Sequence, residues 1–291
     1  MSQLVARLAE LLEAAGSDSA RAEAELICGH VLGVGRAELM TAPAPDPEGA
    51  ERAEAYARRR AAGEPLQYVL GTACSGALDL EVGPGVFIPR PETELLLVDA
   101  LERLRGLSEP VVVDLCGGSG YLALEIAHAR PDARVHVVEL SEEALVWLHR
   151  NARNRRTAGD TGVVIHHADA TSPDLLAELA GRVDVIVTNP PYIPSGASKT
   201  LPSDVVGAEP HPALFGGSDG LEVIRPLVAR AADLLAPGGS LLIEHDDTTS
   251  HAVAAVIDRT GRFGTVERHA DLAGRPRYVT AVLADQEEEH R

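Results

Sequence analysis

The stretch that decides the fold is VVVDLCGGSG, residues 111–120. Its three valines predict a short buried strand, and the glycines let the backbone turn sharply into a helix that begins at Gly120. The N-terminus of a helix favours a negatively charged group such as a carboxylate. The stretch therefore predicts a strand–turn–helix unit that either is only a tight βα turn or binds a ligand, through Asp114, Cys116, Gly117, Gly118, Ser119 and Gly120.

Downstream of this turn, apolar runs alternate with amphipathic segments. The pattern gives a mostly parallel, doubly wound α/β sheet. Two strand-like runs near the end, 263–268 and 278–283, have no helix between them and predict an antiparallel pair at the sheet edge. Strands are predicted at 111–113, 135–139, 163–165, 183–188 and 240–244, and helices at 92–104, 120–129, 142–152 and 221–235.

Upstream of the turn, residues 1–70 contain helical patterns only, at 1–16, 20–32 and 49–62, which predicts a small all-α bundle. Between 77 and 89, apolar residues alternate with acidic ones on either side of Gly83-Pro84-Gly85, which predicts a β-hairpin linker. The predicted organisation is a helical domain at 1–72, a hairpin linker at 73–90, an α/β domain at 91–285 and a flexible tail at 286–291.

Composition narrows the class of protein. The 291 residues carry a formal net charge of −18 without a basic stripe, which argues against direct binding of naked nucleic acid but leaves a local basic patch open. Cys28, Cys74 and Cys116 are far apart, which favours a reducing compartment and no structural zinc. His166-His167 is interpreted as strand-edge histidine rather than a metal pair. No apolar run reaches the roughly 18 residues that a membrane span needs, so we expect a cytoplasmic protein that contacts no membrane. The cysteine and histidine patterns predict that it holds no metal.

Acidic residues follow the next two strands. Glu139 ends the second strand, 19 residues after Gly120, where a carboxylate can accept hydrogen bonds from both hydroxyls of a ribose. Asp169 and Ala170 follow the third strand, and either contact the base of the same ligand or form an ordinary surface turn. The glycines lie closer together than in a dinucleotide fingerprint and follow Asp114, which resembles the first motif of class I methyltransferases. These residues predict a nucleoside-type ligand.

The fourth strand ends in Asn189-Pro190-Pro191-Tyr192. The nitrogen of an amide is a poor nucleophile because its lone pair is delocalised, and its two N–H groups need two acceptors. The side-chain oxygen of Asn189 and the carbonyl of Pro190 can supply both, while Tyr192 stacks on the planar group. The motif therefore predicts methyl transfer to a planar nitrogen. The alternative is a proline-rich turn in which the asparagine is only a cap.

With both motifs present, the chain resembles the HemK/PrmC family of release-factor glutamine methyltransferases over nearly its whole length. The resemblance extends to residues 58–65, 87–94 and 209–221. The Asn-Pro-Pro-Tyr motif also occurs in DNA adenine methyltransferases, whereas the segments at 87–94 and 209–221 are more selective.

The resemblance implies a Rossmann-like class I methyltransferase domain that binds S-adenosyl-L-methionine through residues 116–120 and Glu139. The implied partner is a peptide chain release factor, whose Gly-Gly-Gln glutamine is the substrate. Asn189 would lie between cofactor and glutamine, with Pro190, Pro191 and Tyr192 lining the glutamine slot. The helical domain would recognise the protein substrate, and we expect a monomer.

Three positions depart from the family pattern. Cys116 stands where the family usually has glycine, Cys74-Ser75-Gly76 replaces a segment that usually carries aromatic residues, and Ala170 replaces an aromatic found in some members. These departures keep a paralogue that acts on another protein glutamine open. Two further candidates are an N6-adenine nucleic-acid methyltransferase and an inactive paralogue that binds a partner through the helical domain.

Overall fold

The computed structural model describes residues 1–199 and 207–285 of the chain. The tail predicted at 286–291 lies outside the described residues. Met1–Thr72 form one compact unit, and the described chain from Ala73 onward, apart from residues 207 and 208, forms a second. Within the described ranges, no helix is long and apolar enough to cross a membrane.

The first unit is helical. Asp46 caps its longest helix by accepting the N–H of Gly49 at 2.7 Å, and Gly33 ends another helix at a φ of 66°. Two short helices were not predicted, because four or five residues carry too little periodicity to be recognised. The helices are α1 Ser2–Ala14, α2 Ala20–Leu32, α3 Arg36–Leu39, α4 Pro47–Ala61 and α5 Leu66–Leu70.

The second unit is built on a seven-stranded sheet of order β5-β4-β3-β6-β7-β9-β8. The first five strands of this order are parallel, and β9 runs antiparallel to both of its neighbours. The strands of the sheet are β3 Val111–Leu115, β4 Arg134–Glu139, β5 Val164–His167, β6 Val183–Thr188, β7 Leu235–Glu244, β8 Phe263–Ala270 and β9 Pro276–Leu283. The helices are α6 Thr93–Arg103, α7 Tyr121–Ala129, α8 Glu142–Thr157, α9 His211–Leu214, α10 Ile224–Leu234 and α11 Ser250–Asp258.

Both faces of this sheet are buried. Along β3, Val112 belongs to one apolar core and Val113 to another, as expected when successive side chains of a strand point to opposite faces. The first core includes residues of α6, α7 and α8, and the second includes residues of α10 and α11. The predicted α/β doubly wound class is confirmed, including the antiparallel pair β8–β9 at the edge.

The β-hairpin was predicted at the wrong residues. Its strands are β1 Thr72–Ser75 and β2 Leu78–Glu81, so the turn is Gly76-Ala77 rather than Gly83-Pro84-Gly85. Gly76 has a φ of 67°, which suits a tight two-residue turn. The Glu125 carboxylate accepts the N–H groups of Ala77 at 2.9 Å and Leu78 at 2.8 Å, which fixes the turn there.

Residues 86–88, predicted as the second strand, are not in a strand. Val86 and Ile88 are fully buried, and the N–H of Ile88 donates to Glu209 at 3.2 Å. The apolar side chains in this segment therefore reflect burial against the α/β unit and not strand pairing.

The order of the sheet decides where a ligand can bind. The chain leaves β3 for β4 on one side and later returns to β6 on the other, so a crevice opens beyond the carboxyl ends of β3 and β6. Ligands of open α/β sheets bind at such a switch point. The loops that follow β3, β4, β5 and β6 carry the motifs found in the sequence, and all of them begin at this edge.

Candidate active site

A cavity of about 950 Å³ lies at this edge of the sheet. Gly120, one of the predicted site residues, is not among those that line the cavity, and a Cβ atom on it would lie 2.5 Å from Leu148 Cδ1. The other predicted site residues all line the cavity, namely Asp114, Cys116, Gly117, Gly118, Ser119, Glu139, Asp169, Ala170, Asn189, Pro190, Pro191 and Tyr192. The structure thus brings the predicted residues together, while their roles stay predictions.

Two glycines of the turn after β3 are favoured for different reasons, Gly117 by a close contact and Gly118 by its backbone conformation. The Gly117 N–H donates to the Val138 carbonyl at 2.9 Å, and a Cβ atom on Gly117 would lie 2.2 Å from Val137 Cγ2. Gly118 has a φ of 55°, a conformation that side chains disfavour. The turn therefore presents backbone, with few side-chain atoms, to the cavity.

Cys116 has a left-handed backbone conformation, which favours glycine. Its φ is 67°, which costs a non-glycine residue about 1–2 kcal/mol. Burial raises the pKa of the Cys116 thiol far above its ordinary value, and the neighbouring carboxyls of Glu139 and Asp114 raise it further. The side chain therefore acts as a small apolar group in the wall and not as a reactive thiolate.

Glu139 is fixed by two backbone donors. Its Oε2 accepts the N–H of Gly118 and its Oε1 accepts the N–H of Ser141, both at 2.7 Å. An ionised carboxylate has about four acceptor positions, so each oxygen keeps one for a further donor. The side chain is oriented by the protein and can still accept hydroxyl groups from a ligand.

Asp114 has a buried oxygen with no hydrogen bond. Its Oδ2 accepts the N–H of Ala123 at 3.2 Å, whereas Oδ1 has no partner within residues 1–199 and 207–285. Burial raises the pKa of Asp114 to about 8. A buried acceptor in a cavity wall that lacks a donor fits a site for a cationic or hydrogen-bond-donating group.

The loop after β5 forms the surface turn that was one of the two alternatives for it. Asp169 Oδ1 accepts the Thr171 N–H at 2.8 Å and its hydroxyl at 2.7 Å. Asp169 and Ala170 also line the cavity, so the turn does not exclude a contact with a ligand. On the neighbouring strands, the ring of His166 stacks on His136 with 3.0 Å between ring nitrogens. In the described part of the chain, no group of three or more His, Cys, Asp or Glu side chains could hold a metal ion.

Asn189 and Tyr192 are held by partners that the sequence did not reveal. Asn189 Nδ2 donates to Thr93 Oγ1 at 3.4 Å, and no hydrogen bond from the described residues reaches Asn189 Oδ1. The Tyr192 hydroxyl donates to Glu244 Oε1 at 3.1 Å. Burial and the Glu244 carboxyl raise the pKa of Tyr192 well above its ordinary value, so the phenol stays neutral. The side-chain oxygen of Asn189 is therefore available as an acceptor on this wall.

The segment after the motif packs directly on it. Ile193 N–H donates to the Leu214 carbonyl at 2.9 Å, and Gly216 N–H donates to the Ile193 carbonyl at 3.0 Å. A Cβ atom on Gly220 would lie 2.2 Å from the Tyr192 carbonyl oxygen, so only glycine permits this approach. The conformation of the Asn-Pro-Pro-Tyr loop thus depends on residues 213–221.

An ion pair between the half-buried Arg90 and the buried Glu209 joins the segments 87–94 and 209–221. Arg90 pairs with Glu209, whose Oε2 also accepts the Ile88 N–H at 3.2 Å. The guanidinium of Arg90 lies 5.0 Å from the centre of the Phe87 ring. Phe87, Pro89 and Pro210 line the cavity, so the ion pair fixes one of its walls.

The sequence and structure are similar to those of known methyltransferases. The family model "PrmC N-terminal domain" matches residues 3–71, and the model "Methyltransferase small domain" matches residues 83–207. A release factor glutamine methyltransferase of Mycolicibacterium smegmatis is 50% identical over 271 residues, which are 93% of this chain and 93% of that protein.

A relative with a different substrate is a 4-amino-L-phenylalanine/4-methylamino-L-phenylalanine methyltransferase of Streptomyces pristinaespiralis. It is 42% identical over 253 residues, covering 85% of this chain and 82% of that protein. Among solved structures, a 16S rRNA N2 G1207 methyltransferase of T. thermophilus, in complex with AdoMet and guanosine, is similar with a TM-score of 0.53. It is 25% identical, and the match covers 73% of this chain and 49% of that one.

The family predicted from the sequence is confirmed by the identity of these relatives over most of the chain. The geometry agrees, since the glycine turn, Glu139 and the Asn-Pro-Pro-Tyr loop line one cavity. The chain belongs to the family of release factor glutamine methyltransferases.

Proposed function

We propose that the protein transfers a methyl group from S-adenosylmethionine to the side-chain amide nitrogen of a protein glutamine, namely the Gly-Gly-Gln glutamine of peptide chain release factors. The observation that carries this proposal is the free oxygen of Asn189 on the cavity wall, beside Pro190 and Tyr192. The relatives named release factor glutamine methyltransferase, at 42–50% identity, support the choice of substrate.

The residues of the cavity fit the cofactor. The unpartnered Oδ1 of Asp114 is suited to the ammonium group of S-adenosylmethionine, and Glu139 to the two hydroxyls of its ribose. The glycine turn after β3 lets the protein backbone approach the cofactor closely. Asp169 and Ala170 also line the cavity and are available to the adenine. When bound, this cofactor supplies an electrophilic methyl group on a sulfonium centre.

Asn189 and its neighbours act by orienting the amide. Asn189 Oδ1 and the Pro190 carbonyl accept the two N–H groups of the glutamine, which holds the nitrogen with its lone pair directed at the methyl group. The Tyr192 ring packs on the planar amide. Fixing the reactants in this way can lower the barrier by several kcal/mol. No strong base is needed beforehand, because the nitrogen becomes acidic once it is methylated.

The proposal extends to partner and location. We expect a monomer that meets release factors in the cytoplasm, and the three cysteines, all free, agree with a reducing compartment. The helical unit would contact the release factor outside its Gly-Gly-Gln loop. Direct recognition of a nucleic-acid backbone is disfavoured by the net charge of −18.

The second candidate is methylation of an arylamine, favoured by the relative that acts on 4-amino-L-phenylalanine. The nitrogen of an arylamine, like that of an amide, is conjugated and carries two N–H donors, so the same acceptors suit it. Phe87 and Phe215 also line the cavity and could pack against an aromatic ring.

A comparison of substrates separates these functions. Methyl transfer from labelled S-adenosylmethionine would be followed for an intact release factor, a Gly-Gly-Gln peptide and 4-amino-L-phenylalanine, with a Gly-Gly-Glu peptide as the control that lacks the amide nitrogen. We expect the highest kcat/KM for the release factor and no transfer to the control. Transfer to the arylamine but not to the release factor would establish the second candidate instead.

A further inference from the structure

A buried asparagine connects three parts of the α/β unit. Asn151, on α8, is 1% exposed. Its Nδ2 donates to the Glu81 carbonyl at 3.0 Å and to the Ser119 carbonyl at 2.9 Å, and its Oδ1 accepts the Glu81 N–H at 2.8 Å. Glu81 ends β2, and Ser119 lies in the glycine turn after β3. One side chain thus ties the turn that lines the candidate active site to the end of β2.

The backbone fixes the direction in which the Asn151 amide points. The N–H of Glu81 can only donate, and the carbonyls of Glu81 and Ser119 can only accept. In the reversed amide, Nδ2 would face the N–H and Oδ1 would face both carbonyls, so all three hydrogen bonds would be lost. Both N–H groups of Nδ2 are engaged in the observed orientation, which is therefore the one that satisfies this buried side chain.

The β2 end of the connection is held by further contacts with α8. Leu80 of β2 is buried in an apolar core to which α8 also contributes. Asn154 Nδ2 donates to Glu81 Oε1 at 2.7 Å, and Trp147 Nε1 donates to the Pro84 carbonyl at 3.1 Å. β2 and α8 therefore form one support from which Asn151 reaches the turn.

The turn needs such a support, because its conformation is unfavourable by itself. Cys116 has a φ of 67°, and a side-chain-bearing residue keeps such a conformation only where the surrounding contacts hold it. The N–H of Gly118, next to Ser119, donates to Glu139 Oε2 at 2.7 Å. The place of the turn thus sets the place of the Glu139 carboxylate.

We propose that Asn151 is a positioning residue for S-adenosylmethionine, which holds the Ser119 carbonyl and, through the turn and the Gly118 N–H, keeps Glu139 in place for the ribose. This inference rests on the cofactor part of the proposed function and not on the identity of the methyl acceptor. Asn151 itself does not line the cavity and needs no contact with the cofactor.

Variants of Asn151 are compared with variants that loosen the same region without touching the turn. Asn151→Ala removes all three hydrogen bonds, whereas Asn151→Asp keeps the shape of the side chain and its acceptor but, when ionised, has no donor. The matched control is Glu125→Ala, since Glu125 is buried, accepts two N–H groups at the other end of the β1–β2 hairpin and does not line the cavity. Asn154→Ala removes only a contact with the Glu81 side chain.

Cofactor affinity would be measured by calorimetry and stability by urea unfolding. We expect both Asn151 variants to bind S-adenosylmethionine about 10-fold more weakly than the wild type, as when one hydrogen bond to a charged group is misplaced. The KM for the cofactor should rise more than kcat falls. We expect Glu125→Ala to lose stability but to keep its cofactor affinity, and Asn154→Ala to keep both.

A double variant distinguishes positioning from general stabilisation. If Asn151 acts through Glu139, then Asn151→Ala should cost less affinity in a Glu139→Ala background than in the wild type. Equal costs in the two backgrounds, an unchanged affinity in a folded Asn151 variant, or an equal loss in Glu125→Ala would overturn the proposal. If Asn151→Ala fails to fold, Asn151→Asp still decides.

The same measurements separate this inference from the proposed function. A wild type that binds S-adenosylmethionine but transfers no methyl group to glutamine would refute the proposed substrate and leave the role of Asn151 standing. A wild type that binds no S-adenosylmethionine would refute both.

Discussion

The burial of Asp114 makes the folding stability of the protein depend on pH. Burial holds its pKa at about 8 in the folded protein, against an ordinary value of 3.8. Between these values the folded state binds more protons than the unfolded state, so raising the pH through this window lowers the stability. A buried carboxylate without a donor is thus a stability defect that a cationic ligand group would remove.

Replacing Asp114 with asparagine should show this defect. The contribution of one such group to the free energy of unfolding can fall by up to about 1.4 kcal/mol per pH unit. We therefore expect Asp114→Asn to gain stability relative to the wild type as pH rises from about 4 to about 8, and to bind S-adenosylmethionine more weakly. Urea unfolding of both proteins across this range measures the difference. Parallel stability curves would show that the pKa of Asp114 is not raised in the folded protein.

The residues found from the sequence are those whose spacing along the chain signals their chemistry. Asp114, Glu139 and Asn189 each lie at or directly after the end of a predicted strand, and parallel strands bring such positions to one edge. Thr93 and Glu244 were missed as site residues, because they reach their partners across 96 and 52 positions of the chain. No local pattern marks a hydrogen bond of that range.

At the scale of elements, strands and long helices followed from periodicity and the short connections did not. α2 and β6 begin and end at the predicted residues. The hairpin was predicted at the wrong residues because apolar residues alternate with others throughout 78–88. This alternation indicates burial, and it is the same for a strand and for an extended segment that pairs with nothing. What fixes the turn at Gly76-Ala77 is the Glu125 carboxylate from α7, a tertiary contact. α11 was not predicted.

At the scale of the whole molecule, the helical unit has its own apolar core. Leu8, Leu12, Ile27 and Ala53 belong to a cluster formed within residues 1–70, while the α/β unit has two other cores. A single glutamine offers little surface, whereas specific protein complexes bury about 1,200–2,000 Å². The helical unit is the available additional surface, and its role in recognition is a prediction.

Removal of the helical unit tests that role. We expect a chain that lacks residues 1–70 to fold and to bind S-adenosylmethionine, because the cores of the α/β unit are complete without it. Its kcat/KM on intact release factor should drop steeply, with little change on a Gly-Gly-Gln peptide. Equal losses on both substrates would mean that the unit only stabilises the α/β unit.

The central claim is that Asn189 orients a protein glutamine for methylation. Its most direct test is tandem mass spectrometry of a release factor incubated with S-adenosylmethionine and either the wild type or Asn189→Ala, with cofactor affinity measured on both proteins. The account predicts a methyl group on the glutamine of the Gly-Gly-Gln sequence, formed at least about 100-fold more slowly by the variant, with a much smaller change in cofactor affinity. Methylation at another residue, or an equal loss of transfer and of cofactor affinity, would contradict it.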